Sequence, residues 1–317
     1  MRCEKGWRGM GRRLASVLVS LALGGIVFQA IASEAQGKGL RVTPGALFVQ
    51  GVFLGKLYDV YEASGIRWTI HNDSEREQTY VLSTHRPSEV GISGWLHGYA
   101  ALPDPRWFWF DREEVMVGPQ GEGHVNMFFE IPKEERYYNQ HWVFALGIRG
   151  KPGTGMIQLA LYPKIQIETI SMETVTARPD GPLGLEPSVI SIYNLALGTP
   201  RQATLRLYNN DAETRRYRLT SKTFPAQAGK VPPISVSGGY EWIPEPGWIS
   251  TTRDWVTVGP QESAAVPLRI TIPKGPGHRG RNWESILFIE SEDGRTRFAR
   301  VQIQTEKKEA YSRGSGK

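Results

Sequence analysis

The 317-residue sequence repeats itself, and the repetition limits the possible folds more than any other feature. Pro44–Gly55 (PGALFVQGVFLG) returns 143 residues later as Pro187–Gly198 (PSVISIYNLALG). The segment from Ile66 (IRWTIHNDSEREQTYVLS) returns from Ala203 (ATLRLYNNDAETRRYRLTS) at an offset of 137, with Asn72 on Asn209, Tyr80 on Tyr217 and Leu82 on Leu219. The change of offset gives the first copy six extra residues ahead of its Asn. At an offset of 141, Pro105-Arg106-Trp107 falls on Pro246-Gly247-Trp248, and Val115–Gln120 (VMVGPQ) on Val256–Gln261 (VTVGPQ). Ile131-Pro132-Lys133 falls on Ile272-Pro273-Lys274, and Trp142 on Trp283. The copies close on similar segments, Ile165–Thr169 (IQIET) and Val301–Thr305 (VQIQT). An ordered series of this kind predicts two domains of one design, residues 40–169 and 184–306. Residues 170–183 form a linker with a Pro-Asp-Gly turn, and 307–317 a basic flexible tail.

The repeated segments read as strands. Ile66, Trp68 and Ile70 alternate with polar residues, as do Ala203, Leu205 and Leu207, and period two marks one buried face. Val125, Met127, Phe129 and Ile131 continue the pattern, as do Val266, Leu268, Ile270 and Ile272. Trp142, Phe144, Leu146 and Ile148 make a further strand. Turn residues separate these runs at Asn72-Asp73-Ser74, Gly118-Pro119, Asn209-Asn210-Asp211, Gly259-Pro260 and Asp293-Gly294. The 35 Gly and 21 Pro suit a turn-rich β protein, and no amphipathic helix is evident. About seven short strands per copy predict two tandem immunoglobulin-like β-sandwiches, an all-β chain. The single Cys excludes a disulfide framework and a cysteine-based metal site.

The order of features is a strand, an Asn-led turn, a Trp segment leading to V-x-V-G-P-Q, an alternating strand ending Ile-Pro, and a Trp-led strand. It resembles bacterial envelope Ig-like domains of the PapD-like type, which include periplasmic pilus chaperones. It also resembles the tandem domains of WxL-interacting surface proteins. The resemblance implies an envelope location and a protein-binding or assembly role. The basic subunit-anchoring residues of pilus chaperones have no counterpart that can be placed in this sequence.

The first 32 residues read as an export leader. Arg2, Lys5, Arg8, Arg12 and Arg13 precede the apolar run Leu14–Ala32, which ends Ala30-Ile31-Ala32, a pattern for cleavage before Ser33. An uncleaved membrane anchor is the alternative, since a largely apolar stretch of 19 residues is just long enough to span a bilayer. Cys3 precedes this run and is not placed as a lipoprotein cysteine. The formal charge of +6 belongs to the leader and the tail. Residues 33–305 are neutral on balance, which argues against a nucleic-acid partner.

Catalytic patterns are poor. The six His show no metal-ligand spacing, so neither a metal nor a cofactor is expected. Asp104, Asp111, Glu113 and Glu114 cluster, but the second copy does not repeat them and charges flanking a strand are usually solvated. Gly118–Gly123 is turn chemistry without a following helix, and Gly91–Gly94 lacks the nucleophile spacing. Candidate contact residues are Trp107 and Trp109, from an aromatic run found only in the first copy, and the loops after each Ile-Pro, with Tyr137, Tyr138, His278, Arg279 and Arg281. Core packing for the aromatics and plain solvated loops are the competing readings. The expectation is a non-catalytic periplasmic or extracellular protein that recognises an envelope protein or a cell-wall glycan. The alternatives are a carbohydrate-binding module pair and a pilus-type chaperone acting by strand addition.

Overall fold

A computed structural model describes residues 26–31, 35–37, 39–151, 159–227 and 231–307. The basic start of the leader, Cys3, the proposed cleavage point after Ala32 and residues 308–317 of the tail lie outside them. The described chain is nearly all β. The first sandwich holds β1 (Val27–Ile31), β2 (Ala35–Gly37), β3 (Leu40–Thr43), β4 (Ala46–Val52), β5 (Leu57–Asp59), helix α1 (Val60–Ser64), β6 (Trp68–Asn72), β7 (Gln78–His85), β8 (Ala100–Ala101), β9 (Phe108–Phe110), β10 (Glu114–Val117), β11 (Glu122–Val125), β12 (Met127–Glu130), β13 (His141–Gly150), β14 (Ala160–Leu161) and β15 (Lys164–Thr169). The second holds β16 (Leu183–Glu186), β17 (Val189–Leu195), β18 (Arg201–Asn209), β19 (Arg215–Lys222), β20 (Glu241–Trp242), β21 (Ile249–Thr251), β22 (Trp255–Val258), β23 (Ser263–Ile270), β24 (Asn282–Ser291) and β25 (Thr296–Thr305).

The main sheets have equivalent orders. In the first sandwich it runs β1-β4-β15-β13-β7-β10, and in the second β17-β25-β24-β19-β22. In each, the entering strand lies parallel to the last one, β4 beside β15 and β17 beside β25, and the remaining pairs along these paths are antiparallel. This is the strand order of an immunoglobulin-like sandwich. The facing layer of the second sandwich is one sheet, β16-β18-β23-β21, whereas that of the first is split into β11-β6-β3-β2 and β5-β12-β9.

The split traces to a local insertion. The six-residue excess of the first copy falls in the stretch that forms β5 and α1. A helix there departs from the all-strand reading, and its cause is local. The Asp59 carboxylate accepts from the amides of Tyr61 and Glu62 and caps the helix start. Gly65, at φ 70°, closes it in the left-handed region. β5 then pairs with β12 and leaves β12 separate from β11, where β23 is continuous.

The Asn-led turns work identically in the two sandwiches. Buried Asn72 donates to the carbonyls of Arg76 (2.7 Å), Val117 (3.0 Å) and Gly118 (2.9 Å). Buried Asn209 donates to those of Glu213 (2.7 Å), Val258 (3.1 Å) and Gly259 (2.9 Å). Each carboxamide oxygen accepts from the amide two residues on. Turn formation therefore accounts for both asparagines. The G-P-Q triplets belong to the same device: Gln120 and Gln261 sit at φ 53° and 55°, and their amides reach back to the Asn-led turn.

Each sandwich has its own core. The first is rich in rings, with Phe129 stacked between Tyr58 (4.8 Å) and Phe108 (4.9 Å). The second is mainly aliphatic around Leu205, Leu207, Val266, Ile289 and Val301. A third apolar cluster joins them. Phe48, Tyr99 and Val143 of the first sandwich meet Ile234, Ile286, Phe288 and Phe298 of the second.

Candidate functional site

The third cluster follows from alternation in the strands. On β13, Trp142, Phe144, Leu146 and Ile148 fill the first core, so His141, Val143 and Ala145 face the other way. On β25, Ala299, Val301 and Ile303 fill the second core, so Phe298, Arg300 and Gln302 face out of it. The two sheets dock through these outer faces, which is why β13 and β15 are buried on both sides.

A buried ion pair lies in the middle of the junction. Arg300 is fully buried and forks onto Glu168, Nε to Oε2 and Nη2 to Oε1, both at 2.7 Å. Its Nη1 donates to Glu284 Oε1 (2.6 Å) and to the Ser235 carbonyl (2.9 Å). Phe48 of the first sandwich and Phe298 of the second lie 5.3 and 5.5 Å from the guanidinium carbon. The Tyr99 hydroxyl donates to Glu168 (2.7 Å), and Gln50 donates to both Glu168 (3.1 Å) and Ser237 (2.9 Å). Gln302 and the Ser237 amide donate to Glu284 (2.9 and 3.0 Å). Burial alone would raise the Glu168 carboxyl, but the Arg300 charge outweighs it and holds Glu168 down at about 2. The same burial, with the Glu168 charge, pushes Tyr99 well above the usual phenol range. Fully satisfied, such a network fixes one mutual orientation of the sandwiches.

His141 sits beside this network with its ring stacked on Phe298 (4.0 Å). Its Nε2 is buried with no hydrogen-bond partner and stands 3.9 Å from Glu168. Burial lowers its pKa to about 4, against the pull of the Glu168 charge. The loop before β8 reaches across the junction as well. The Gly98 amide donates to Thr296 Oγ1 (2.9 Å), and a Cβ on Gly98 would stand 2.7 Å from the Phe298 ring at φ 90°.

A second feature is the outward face of β5-β12-β9. Trp109 is 41% exposed and lies parallel to Phe128, with ring centroids 6.3 Å apart and planes 17° apart. Asp59 pairs with Phe128 in register, and Leu57 with Glu130. The third feature is the edge of β4, which β1 covers in antiparallel register from Val27↔Gln50 to Ile31↔Ala46. Val27–Ile31 lies within the stretch read as leader, yet here it continues the main sheet.

Most of the sequence candidates are committed locally. Trp107 ends the 3-10 turn Pro105–Trp107 and packs edge-on against Tyr137 (5.0 Å) and Trp142 (5.7 Å). Tyr137 is buried with its hydroxyl bonded to Arg136, and Tyr138 packs against the first core. These three serve packing, because the loop folds back as the 3-10 turn Glu135–Tyr137 instead of projecting. His278 lies edge-on to Trp248 (5.1 Å), with one ring nitrogen 3.0 Å from the Pro273 carbonyl. Arg279 pairs with Glu306 (3.1 Å) and Arg281 with Glu241 (3.3 Å). Each of these contacts stays within one sandwich, so Trp109 alone of the candidates presents an open ring. Three of the four acidic residues are likewise paired, Asp104 with Arg106, Asp111 with Arg112 and Glu114 with Lys151. Among the described residues no group of three or more His, Cys, Asp or Glu is placed to hold a metal ion, and no helix is long and apolar enough to cross a membrane.

Sequence reasoning missed Glu168, Glu284, Arg300 and Tyr99. A usable signal was present. The residue just ahead of each closing segment is basic, Lys164 and Arg300, at the same place in the two copies.

No family model matches the sequence, and no curated protein matches it. Among solved structures, the chain is similar to a protein of unknown function from Porphyromonas gingivalis W83, at 13% identity over 84% of this chain and 99% of that one, with a TM-score of 0.33. It is also similar to the E. coli chaperone DraB, at 11% identity over 84% and 98% of the two chains, TM-score 0.27. The periplasmic chaperone SfaE is a third, at 10% identity over 83% and 99%, TM-score 0.27.

Proposed function

We propose that this chain is an exported, non-catalytic protein of the bacterial cell envelope that recognises a polypeptide partner during assembly, in the manner of a two-domain chaperone. The observation that carries this reading is the junction. Two sandwiches meet sheet to sheet around the buried, fully hydrogen-bonded Glu168–Arg300–Glu284 set, and a satisfied network of this kind favours one angle between them. Recognition of a long polypeptide across two modules gains from such a fixed angle, because a pre-organised surface loses little entropy on binding. The leader supplies the address, and the sheet edges and loops supply the contacts. The test is recovery of the chain from a bacterial envelope fraction, with its N-terminus read by mass spectrometry, followed by co-purification with envelope proteins. A reproducible protein partner, lost when Arg300→Ala loosens the junction, supports the reading. Retention in the cytoplasm, or recovery without any partner, overturns it.

The Trp109–Phe128 pair favours a second reading, a glycan-binding face. Two parallel rings, one of them open to solvent, offer a platform for the flat face of a sugar, with Asp59 and Glu130 nearby to accept from hydroxyls. Affinity electrophoresis in wall and storage polysaccharides decides this. Retardation abolished by Trp109→Ala supports the platform, and unretarded migration of the wild-type chain removes it.

A further inference from the structure

β1 shows what the edge of β4 accepts. Its five residues pair antiparallel with β4, and side chains enter on both faces. Phe28 stands opposite Val49, and with Ile26 it is buried in the first core. Gln29, on the other face beside Phe48, reaches the Val236 carbonyl of the second sandwich (3.5 Å). The seated segment therefore fills a slot bounded by the first core on one side and the second domain on the other.

The equivalent edge in the second sandwich is different. β17 has no strand on its outer side among the described residues, and it presents Ser191, Tyr193 and Asn194 to solvent. β4 reads Ala46-Leu47-Phe48-Val49 before its first polar residue, with no charge or proline to blunt it. An uncovered strand of that kind is a template for pairing with another chain. Cleavage after Ala32 would detach Ile26–Ile31 and leave β4 uncovered, with two apolar side chains missing from the core.

We propose that the outer edge of β4 is an acceptor site for an extended apolar strand of a partner polypeptide, with Val27–Ile31 as its resident occupant until the leader is removed. The partner strand runs antiparallel to β4, places an aromatic side chain where Phe28 sits and a second apolar side chain where Ile26 sits, and turns a polar residue toward Val236. Main-chain bonds to β4 supply the affinity and the Phe28 position supplies the selectivity. The detachment of β1 rests on the export reading above; the acceptor edge itself does not.

The experiment uses the full chain and a labelled peptide of its own sequence, Ile26–Ala32 flanked by lysines for solubility. Phe28→Asp in the full chain expels β1 and opens the edge. Fluorescence anisotropy is expected to show this variant binding the peptide at least tenfold more tightly than the wild type. A peptide carrying Asp at the Phe28 position binds neither. Phe28→Ala, a milder opening, is measured alongside in case Phe28→Asp does not fold, and is expected to bind more tightly than the wild type as well. Equal affinity for wild type and a folded variant overturns the proposal, as does binding that ignores the peptide's aromatic residue. The N-terminal mass of the exported protein tests the export reading separately, so the two can fail independently.

Discussion

His141 illustrates how one buried side chain sets a condition on the whole interface. Its pKa lies at about 4 in the folded protein, against 6.5 for an ordinary histidine, because its ring is buried at the junction against Phe298. The groups that face it are Glu168, Arg300, Arg297 and Tyr99, and the Glu168 charge only partly offsets the burial. Between pH 6.5 and 4 the unfolded chain therefore takes up a proton that the folded chain excludes, and stability falls as the pH falls through that window. Glu168 acts in a lower window. Its folded pKa of about 2 lies below the ordinary 4.5, so its contribution is complete above 4.5 and is lost as pH falls toward 2. Replacing His141 with Phe keeps a ring against Phe298 and removes the first window. Thermal unfolding from pH 7 to pH 4 is expected to show a falling Tm for the wild type and a flatter curve for His141→Phe, with a difference on the order of 1–3 kcal/mol at pH 4. Equal slopes would place the acid sensitivity elsewhere.

At the scale of elements, much of the fold was legible because alternation and turn chemistry are local. β6, β18, β12 and β23 follow the apolar spacing read along the chain, and the Asn-led turns with their G-P-Q partners fall at the two predicted places. Asn209→Ala is expected to cost about 2–3 kcal/mol, since three carbonyls, that of Val258 buried, lose their donor at once, whereas Trp109→Ala on an exposed face should change stability by no more than about 1 kcal/mol. Urea unfolding of the two variants measures both. The parts that were not legible depend on distance. The six-residue excess was visible as a count, but its folding as β5 and a capped helix depends on pairing with β12, about 70 residues further on. The candidate loops read as exposed because they are polar, yet Tyr137 folds inward onto Trp107 and Trp142. Arg300 and Glu168 stand 132 residues apart, and no local pattern marks an arginine as buried when its partner comes from the other sandwich. Gly98 is illegible for the same reason. Its need for glycine comes from φ 90° and from the Phe298 ring, and Gly98→Ala should destabilise the junction by about 1–3 kcal/mol in the same assay.

At the scale of the molecule, the junction decides whether the two sandwiches behave as one body. Its apolar part, Phe48, Tyr99 and Val143 against Ile234, Ile286, Phe288 and Phe298, would hold many alternative packings about equally well. The ion pair selects one of them, because Arg300 can satisfy Glu168, Glu284 and the Ser235 carbonyl together in a single register of the two sheets. Arg300→Ala leaves two buried carboxylates without their cation, an imbalance that costs about 3–5 kcal/mol where it cannot relax. The relaxation open to this molecule is separation, since each sandwich keeps its own core when the sheets part. Calorimetry is therefore expected to resolve one cooperative transition in the wild type into two in Arg300→Ala, the first of them lowered. Arg300→Met combined with Glu168→Gln and Glu284→Gln removes the charges together, and should recover most of the lost stability while leaving the mutual orientation less defined. Small-angle scattering reads that difference directly: the triple variant should be broader in its distance distribution than the wild type. A triple variant as narrow as the wild type would show that the apolar cluster sets the angle and that the ion pair merely tolerates it.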